Sequence, residues 1–409
     1  MPNRVPSTVP SRAPSSASGG RLVGLDVARC LALLGMMATH VYPTRDALGE
    51  LSLAETIAGG RASALFAVLA GVSLALMTGR SEPVVGTERR ARSVELAVRA
   101  ILIAALGMVL GALDSGLAII LTYYGLLFLL GIPFLGLRAR TLALLAILWL
   151  VAGPVLSQVV RPELPDRGFA SPVFEQLASP WQLTSELLFT GYYPVVPWLA
   201  YLFAGMAVGR MNLTQRRVQA GIAVVGAVLA AGAFLLSRFL TGQSWFADAV
   251  VGDPLSPAPS SSASELVDTI SSGMFGTTPT GGPWEWLVVV APHSATPFDL
   301  AHTLGTSLLV IGLALLVVGM LSDFWTRAVA VFFGAGTMTL TLYSLHVVMR
   351  TDLLWPPERP ETYVWHVVVV LGIGAGFVAA GARGPLEAFV SASSKGWASK
   401  LVRTDEHSR

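Results

Sequence analysis

Asp26, Arg29 and His40 lie in one apolar stretch, which begins Gly24-Leu25-Asp26-Val27-Ala28-Arg29-Cys30 and ends Thr39-His40. Arg29 and His40 are eleven positions apart. On a helix they fall within about 20° of one face and roughly 16 Å apart along the axis. Asp26, three residues before Arg29, can pair with it. One stripe therefore carries a carboxylate and a guanidinium near one end and an imidazole near the other. A guanidinium suits phosphate groups, and a neutral imidazole is a good general base near pH 7. The blander reading is an interfacial ion pair and a histidine that snorkels to the membrane surface.

The other histidines widen the choice of base. His302, His346 and His366 stand at ends of apolar runs that the charge pattern below assigns to the same side as His40, and His293 lies in a loop on that side. Only His407 lies opposite. His302 and His346 are thus alternative bases, although nothing in the sequence shows which rings meet. Arg61, after Gly59-Gly60, and Tyr343 are candidates to stabilise an oxyanion. Arg99 is either a second phosphate-binding cation beside Asp26 and Arg29 or a snorkelling side chain. Asp299 reads as an N-cap or as an orienter of His302, with the cap favoured, and Asp114 as a loop carboxylate. No H-x-x-x-H or H-x-x-E-H spacing occurs, so no metal site is expected. The single cysteine, Cys30, excludes an intrachain disulfide.

These residues need a scaffold, and composition says what kind. Of 409 residues, 53% are apolar and only 13% charged, against about 25% charged in soluble domains. Mean hydropathy is strongly positive. Repeated apolar runs of about 20 residues suit a bilayer, and helices satisfy their own backbone there. The expected fold is an all-α integral membrane protein, a polytopic bundle of about ten transmembrane helices. The spans are placed near 22–41, 55–78, 95–113, 116–137, 141–160, 191–210, 217–239, 299–321, 327–349 and 362–382. Residues 1–21, rich in Ser, Pro and Arg, form a tail; 22–390 form the membrane domain, and 391–409 a second tail.

Arginines gather in alternate loops, among them Arg80, Arg89, Arg90, Arg92, Arg138, Arg140, Arg210, Arg216, Arg217 and Arg327. The positive-inside rule puts these loops and both termini in the cytoplasm. Long outer loops span about 161–190 and 240–298. Only Lys395 and Lys400 are lysines, and the Ala, Gly and Val content suggests a GC-rich genome. A bacterial plasma membrane is the expected location. No nucleic-acid motif is present, and topology accounts for the basic residues. No sequence repeat relates the two halves, which disfavours an inverted-repeat transporter.

The order of motifs resembles a known group. Arg29, ten residues and His40 resemble the R-x10-H signature of the acyltransferase-3 membrane enzymes. Leu25-Asp26-Val27-Ala28-Arg29 with Leu31-Ala32 resembles the opening of the heparan-alpha-glucosaminide N-acetyltransferase-like and YeiB-like families. Gly191-Tyr192-Tyr193-Pro194-Val195-Val196-Pro197-Trp198, Pro292-His293-Ser294, Phe298-Asp299-Leu300-Ala301-His302-Thr303 and Gly336 through His346 continue the likeness, over about 21–390. Cys30 departs from the usual Gly. The lysosomal enzyme's histidine lies in a loop, whereas His40 ends the helix, which leaves the active histidine open.

The resemblance implies an acyl-CoA-dependent O- or N-acyltransferase. It would take an acyl group, acetyl being the expected one, from cytoplasmic acyl-CoA to a hydroxyl or amine of an extracytoplasmic glycan or glycolipid. CoA phosphates would meet Arg29 and Arg99, and the pantetheine arm would pass Gly35, Gly71 and Gly107. The thioester would reach His40, with direct attack and an acyl-histidine intermediate both open. Trp198, Trp284 and Trp286 would anchor at the interface or stack on sugar. Expected partners are the bilayer, the glycan acceptor and, optionally, a second copy in a homodimer. The alternative is a transporter or flippase using the same charges as a relay.

Overall fold

The computed structural model describes residues 21–168, 171–256, 260–351 and 359–407. The expected tail, apart from Arg21, lies outside the described residues. Helices come in the order α1 (Val23–Val41), α2 (Leu53–Ala58), α3 (Arg61–Met77), α4 (Gly86–Gly111), α5 (Leu121–Gly131) and α6 (Ala139–Val160). They continue with α7 (Pro180–Ser185), α8 (Val195–Gly209), α9 (Arg216–Thr241), α10 (Ser244–Val250) and α11 (Ala263–Ser271). The last are α12 (Pro297–Val318), α13 (Asp323–Phe332), α14 (Thr339–Met349), α15 (Thr362–Ala379) and α16 (Pro385–His407). The described residues contain no strand, only an isolated bridge between Arg45 and Leu51.

Seven helical segments are long and apolar enough to cross a bilayer, eight if Pro180–Thr190 and Val195–Gly209, bent by 53°, are one span. Leu121–Gly136 and Thr339–Met349 are shorter apolar helices. Several expected boundaries move. The second span, Leu53–Met77, lies where it is expected, but its helix is interrupted at Gly59-Gly60, where Gly60 takes φ +66°, so that Arg61 opens α3 instead of lying inside an unbroken helix. The ninth splits into α13, a 3-10 turn at Gly334–Thr337 and α14. Residues 391–398, expected in a tail, continue α16, which packs on α4.

α8 is the hub: all fifteen of its residues are buried. It meets α3 through glycines on both sides, since a Cβ on Gly71 would press on the Leu202 carbonyl and one on Gly205 on that of Val68. By contrast, α6, α9 and α15 turn Leu144, Ile147, Val225, Val228, Val364 and Trp365 outward. An outer surface this apolar suits lipid as the surrounding solvent.

Two arginines expected in loops are structural ties. Arg210 is buried and donates to the carbonyls of Ala75, Thr78, Arg80 and Leu135 and to the Thr78 hydroxyl, at 2.6–3.0 Å. It joins the end of α3 to the turn after α5. Arg161 is buried at the other end of the bundle and donates to the Thr278 carbonyl at 2.6 Å. The long segment it ties is folded rather than an open loop: Phe246, Val250, Leu266, Ile270 and Trp286 form a small core of their own.

Candidate functional site

Asp26 sits in the first turn of α1, where a carboxylate opposes the positive end of the helix dipole. It accepts from Arg29 Nη1 at 2.8 Å and from Arg21 Nε at 2.6 Å. Arg29 Nη2 also donates to the Ser73 hydroxyl on α3 at 3.0 Å. The fork is thereby fixed, with three of its five N–H groups still available.

Arg29 lines a cavity of about 340 Å³. Arg99, Glu387, Tyr124 and Tyr343 also line it, with apolar walls from Met36, Phe66, Leu69, Ile103 and Phe128. Arg99 thus lines the same cavity as Arg29. Glu387 reaches from α16 to accept from the backbone N–H groups of Leu340 and Thr341, at 2.7 and 3.1 Å. It caps the first turn of α14, a role sequence reasoning missed because its partners lie on another helix. The Tyr343 hydroxyl accepts from the Ile120 N–H at 3.5 Å.

A second cavity, of about 460 Å³, takes up the His40 end of α1. Its lining includes His40, Glu55, Arg167, Tyr192, Phe275, His293 and Arg350. The two cavities draw close along two separate stretches of chain. Met36 lines the first and Thr39 the second, less than one helical turn apart. Ile120 lines the first and Ala118 the second.

His40 does not stand alone. Its Nδ1 lies 3.0 Å from Nε2 of His346, and Nδ1 of His346 lies 3.1 Å from Nδ1 of His366. The rings come from α1, α14 and α15. A close approach allows it: a Cβ on Gly336 would collide with the Asp26 carbonyl, so glycine there lets the entry to α14 lie against α1. His346 and His366 are fully buried, and of the three rings His40 is the one that lines the cavity.

His293 is held in a strained loop. His293 and Ala295 take φ +58° and +52°, a region that disfavours side chains. Backbone bonds fix it: Met274 N–H donates to the Pro292 carbonyl at 2.7 Å and Gly276 N–H to that of His293 at 2.8 Å. Burial pushes the His293 imidazole down to about 4, so it is neutral at pH 7.

Other expected residues sit elsewhere. His302 Nδ1 lies 3.0 Å from the Ala230 carbonyl, and Arg61 Nε donates to His302 Nε2 at 3.3 Å. Neither residue lines either cavity. Thr296, not Asp299, caps α12, accepting from the Asp299 N–H at 3.0 Å. The Asp299 carboxylate accepts from Ala295 N–H at 3.1 Å and makes no hydrogen bond to His302. Of the three tryptophans considered for sugar stacking, Trp198 and Trp286 are buried core residues and Trp284 is exposed. Gly35, Gly71 and Gly107 pack helix on helix and line neither cavity. No metal-binding cluster of His, Cys, Asp or Glu occurs among the described residues.

The family model for the catalytic domain of heparan-alpha-glucosaminide N-acetyltransferase matches residues 21–245, more than half of the chain. The chain belongs to that family. No curated protein matches it. The matched region takes in α1 through α9, and with them Arg29, Arg99 and His40. His293, His346 and His366 lie beyond it.

Proposed function

We propose that the protein transfers an acetyl group from cytoplasmic acetyl-CoA to a hydroxyl or amine of an extracytoplasmic glycan or glycolipid. The supporting observation is the pair of cavities along α1, one holding Arg29 and Arg99, the other His40. Arg29 and Arg99 would bind CoA phosphates, and the apolar walls between Met36 and Phe128 would carry the pantetheine arm toward His40. His40 Nε2 would take the proton of the acceptor as it attacks the thioester carbonyl. Tyr192 and Phe275 offer aromatic faces to a sugar, with Glu55 and Arg167 to bind its polar groups.

In this reading the two short apolar helices and the bent pair complete ten spans with the seven long ones. The arginine-rich loops then lie in the cytoplasm with both termini, and the His40 cavity faces outward. The protein would act in a bacterial plasma membrane.

The test is release of free CoA by purified protein given acetyl-CoA and a crude envelope-glycan extract. Wild type should release CoA only with the extract. His40→Ala should abolish release, while His302→Ala should retain it. Release that survives His40→Ala would remove His40 from the chemistry. Flux of a substrate without thioester turnover would instead identify a transporter.

A further inference from the structure

Three imidazoles in a row within an apolar bundle call for an explanation. Each buried polar atom costs stability unless paired, and an aliphatic core would have sealed the space more cheaply. The contacts at 3.0 and 3.1 Å join the rings in sequence rather than around a common centre. Such a row conducts a proton if each ring can accept at one nitrogen while donating at the other.

Neutral rings satisfy both contacts with one polarity that leaves His40 able to act as a base. His40 Nδ1–H donates to His346 Nε2, His346 Nδ1–H donates to His366 Nδ1, and His40 Nε2 keeps its lone pair. The reverse polarity puts a proton on His40 Nε2 instead.

We propose that His346 and His366 form a proton relay behind His40, an inference that rests on the acyltransferase reading. The acceptor heteroatom forms its bond to the thioester carbon while its proton passes to His40 Nε2. The carbonyl electron pair moves onto oxygen. The His40 Nδ1 proton shifts to His346 Nε2, and the His346 Nδ1 proton to His366 Nδ1, so the positive charge comes to rest on His366. When the tetrahedral intermediate collapses, the C–S bond breaks and sulfur keeps the pair. The shifts reverse, and the proton on His40 Nε2 goes to the thiolate. The protein ends with the protons it began with. His346 and His366 touch no substrate and are positioning residues. Their service is to hold the proton away from the nucleophile until sulfur has left.

The experiment is single-turnover consumption of acetyl-CoA by the intact protein with the glycan extract, at increasing fractions of D2O. The relay moves several protons in one step, so the wild-type rate constant should fall along a bowed curve. His366→Asn keeps a polar side chain but cannot carry the charge. It should slow the step by about tenfold or more, leave the KM for acetyl-CoA unchanged and straighten the curve. A straight line for the wild type, or a full rate constant in His366→Asn, would overturn the relay while leaving the acyltransferase intact. Should His366→Asn fail to fold, the wild-type curve decides alone. A wild type that consumes no thioester would overturn the underlying reading, and the relay with it.

Discussion

Replacing Arg29 tests the donor end of the proposed path. Two N–H groups of Arg29 are engaged, one by Asp26 at 2.8 Å and one by Ser73 at 3.0 Å. The remaining donors can meet a phosphate of acetyl-CoA. A hydrogen bond to a charged group contributes about 1.5–3 kcal/mol. At 1.4 kcal/mol per decade, Arg29→Gln should raise the KM for acetyl-CoA by about 10- to 150-fold. Arg29→Lys keeps the charge but loses the fork, and its KM should fall between those of Arg29→Gln and wild type. Collapse of the helix start should not confound the result, because Asp26 keeps its 2.6 Å bond to Arg21. Steady-state kinetics of CoA release in detergent or nanodiscs gives KM and kcat separately. An Arg29→Gln enzyme with wild-type KM and a reduced kcat would refute the phosphate role, since an interaction lost only in the transition state leaves that signature.

Two further outcomes test the scaffold. Arg210→Ala removes a buried cation that satisfies four carbonyls. It should lower thermal stability by about 3 kcal/mol or more without changing the KM of the folded fraction, as read by detergent melting and kinetics together. His293 gives a pH dependence whose sign is fixed. Its folded value, about 4, lies below the ordinary 6.5, so the unfolded chain binds the proton first. Its contribution is therefore level above pH 6.5, and stability falls as pH drops from there toward 4. Melting curves of His293→Gln should show a shallower acid arm than wild type; identical arms would remove His293 as the cause.

The apolar segments were legible because a bilayer demands length and hydropathy, and both are local properties of sequence. Seven long helices appear where long apolar runs stand. Their breaks were less legible. Gly59-Gly60 reads as two residues in an apolar run, yet the positive φ of Gly60 makes it a junction. The segment 327–349 has enough apolar residues for one span, but the 3-10 turn at Gly334–Thr337 divides it, because Gly336 must pass close to α1. Arg161 and Arg210 counted as loop charges, and their burial depends on carbonyls at distant helix ends.

The site divides along the same line. Helical period alone puts Arg29 and His40 on one stripe of α1, and each lines a cavity. No period could separate His302 from His346. Both stand near helix ends and both follow familiar motifs, but His302 turns toward Ala230 and Arg61 while His346 lies against His40. The difference comes from a contact between α1 and the entry to α14, more than 300 residues apart in sequence. That contact also explains why the ring row can matter to chemistry. Gly336 sets the spacing between α1 and α14, and Glu387 fixes the first turn of α14 through Leu340 and Thr341. His346 lies less than two turns further along the same helix. The residues that hold α14 at the Arg29 end therefore also set the distance between His346 and His40, so a change at Glu387 should reach the proposed base, His40, through the helix without touching either ring.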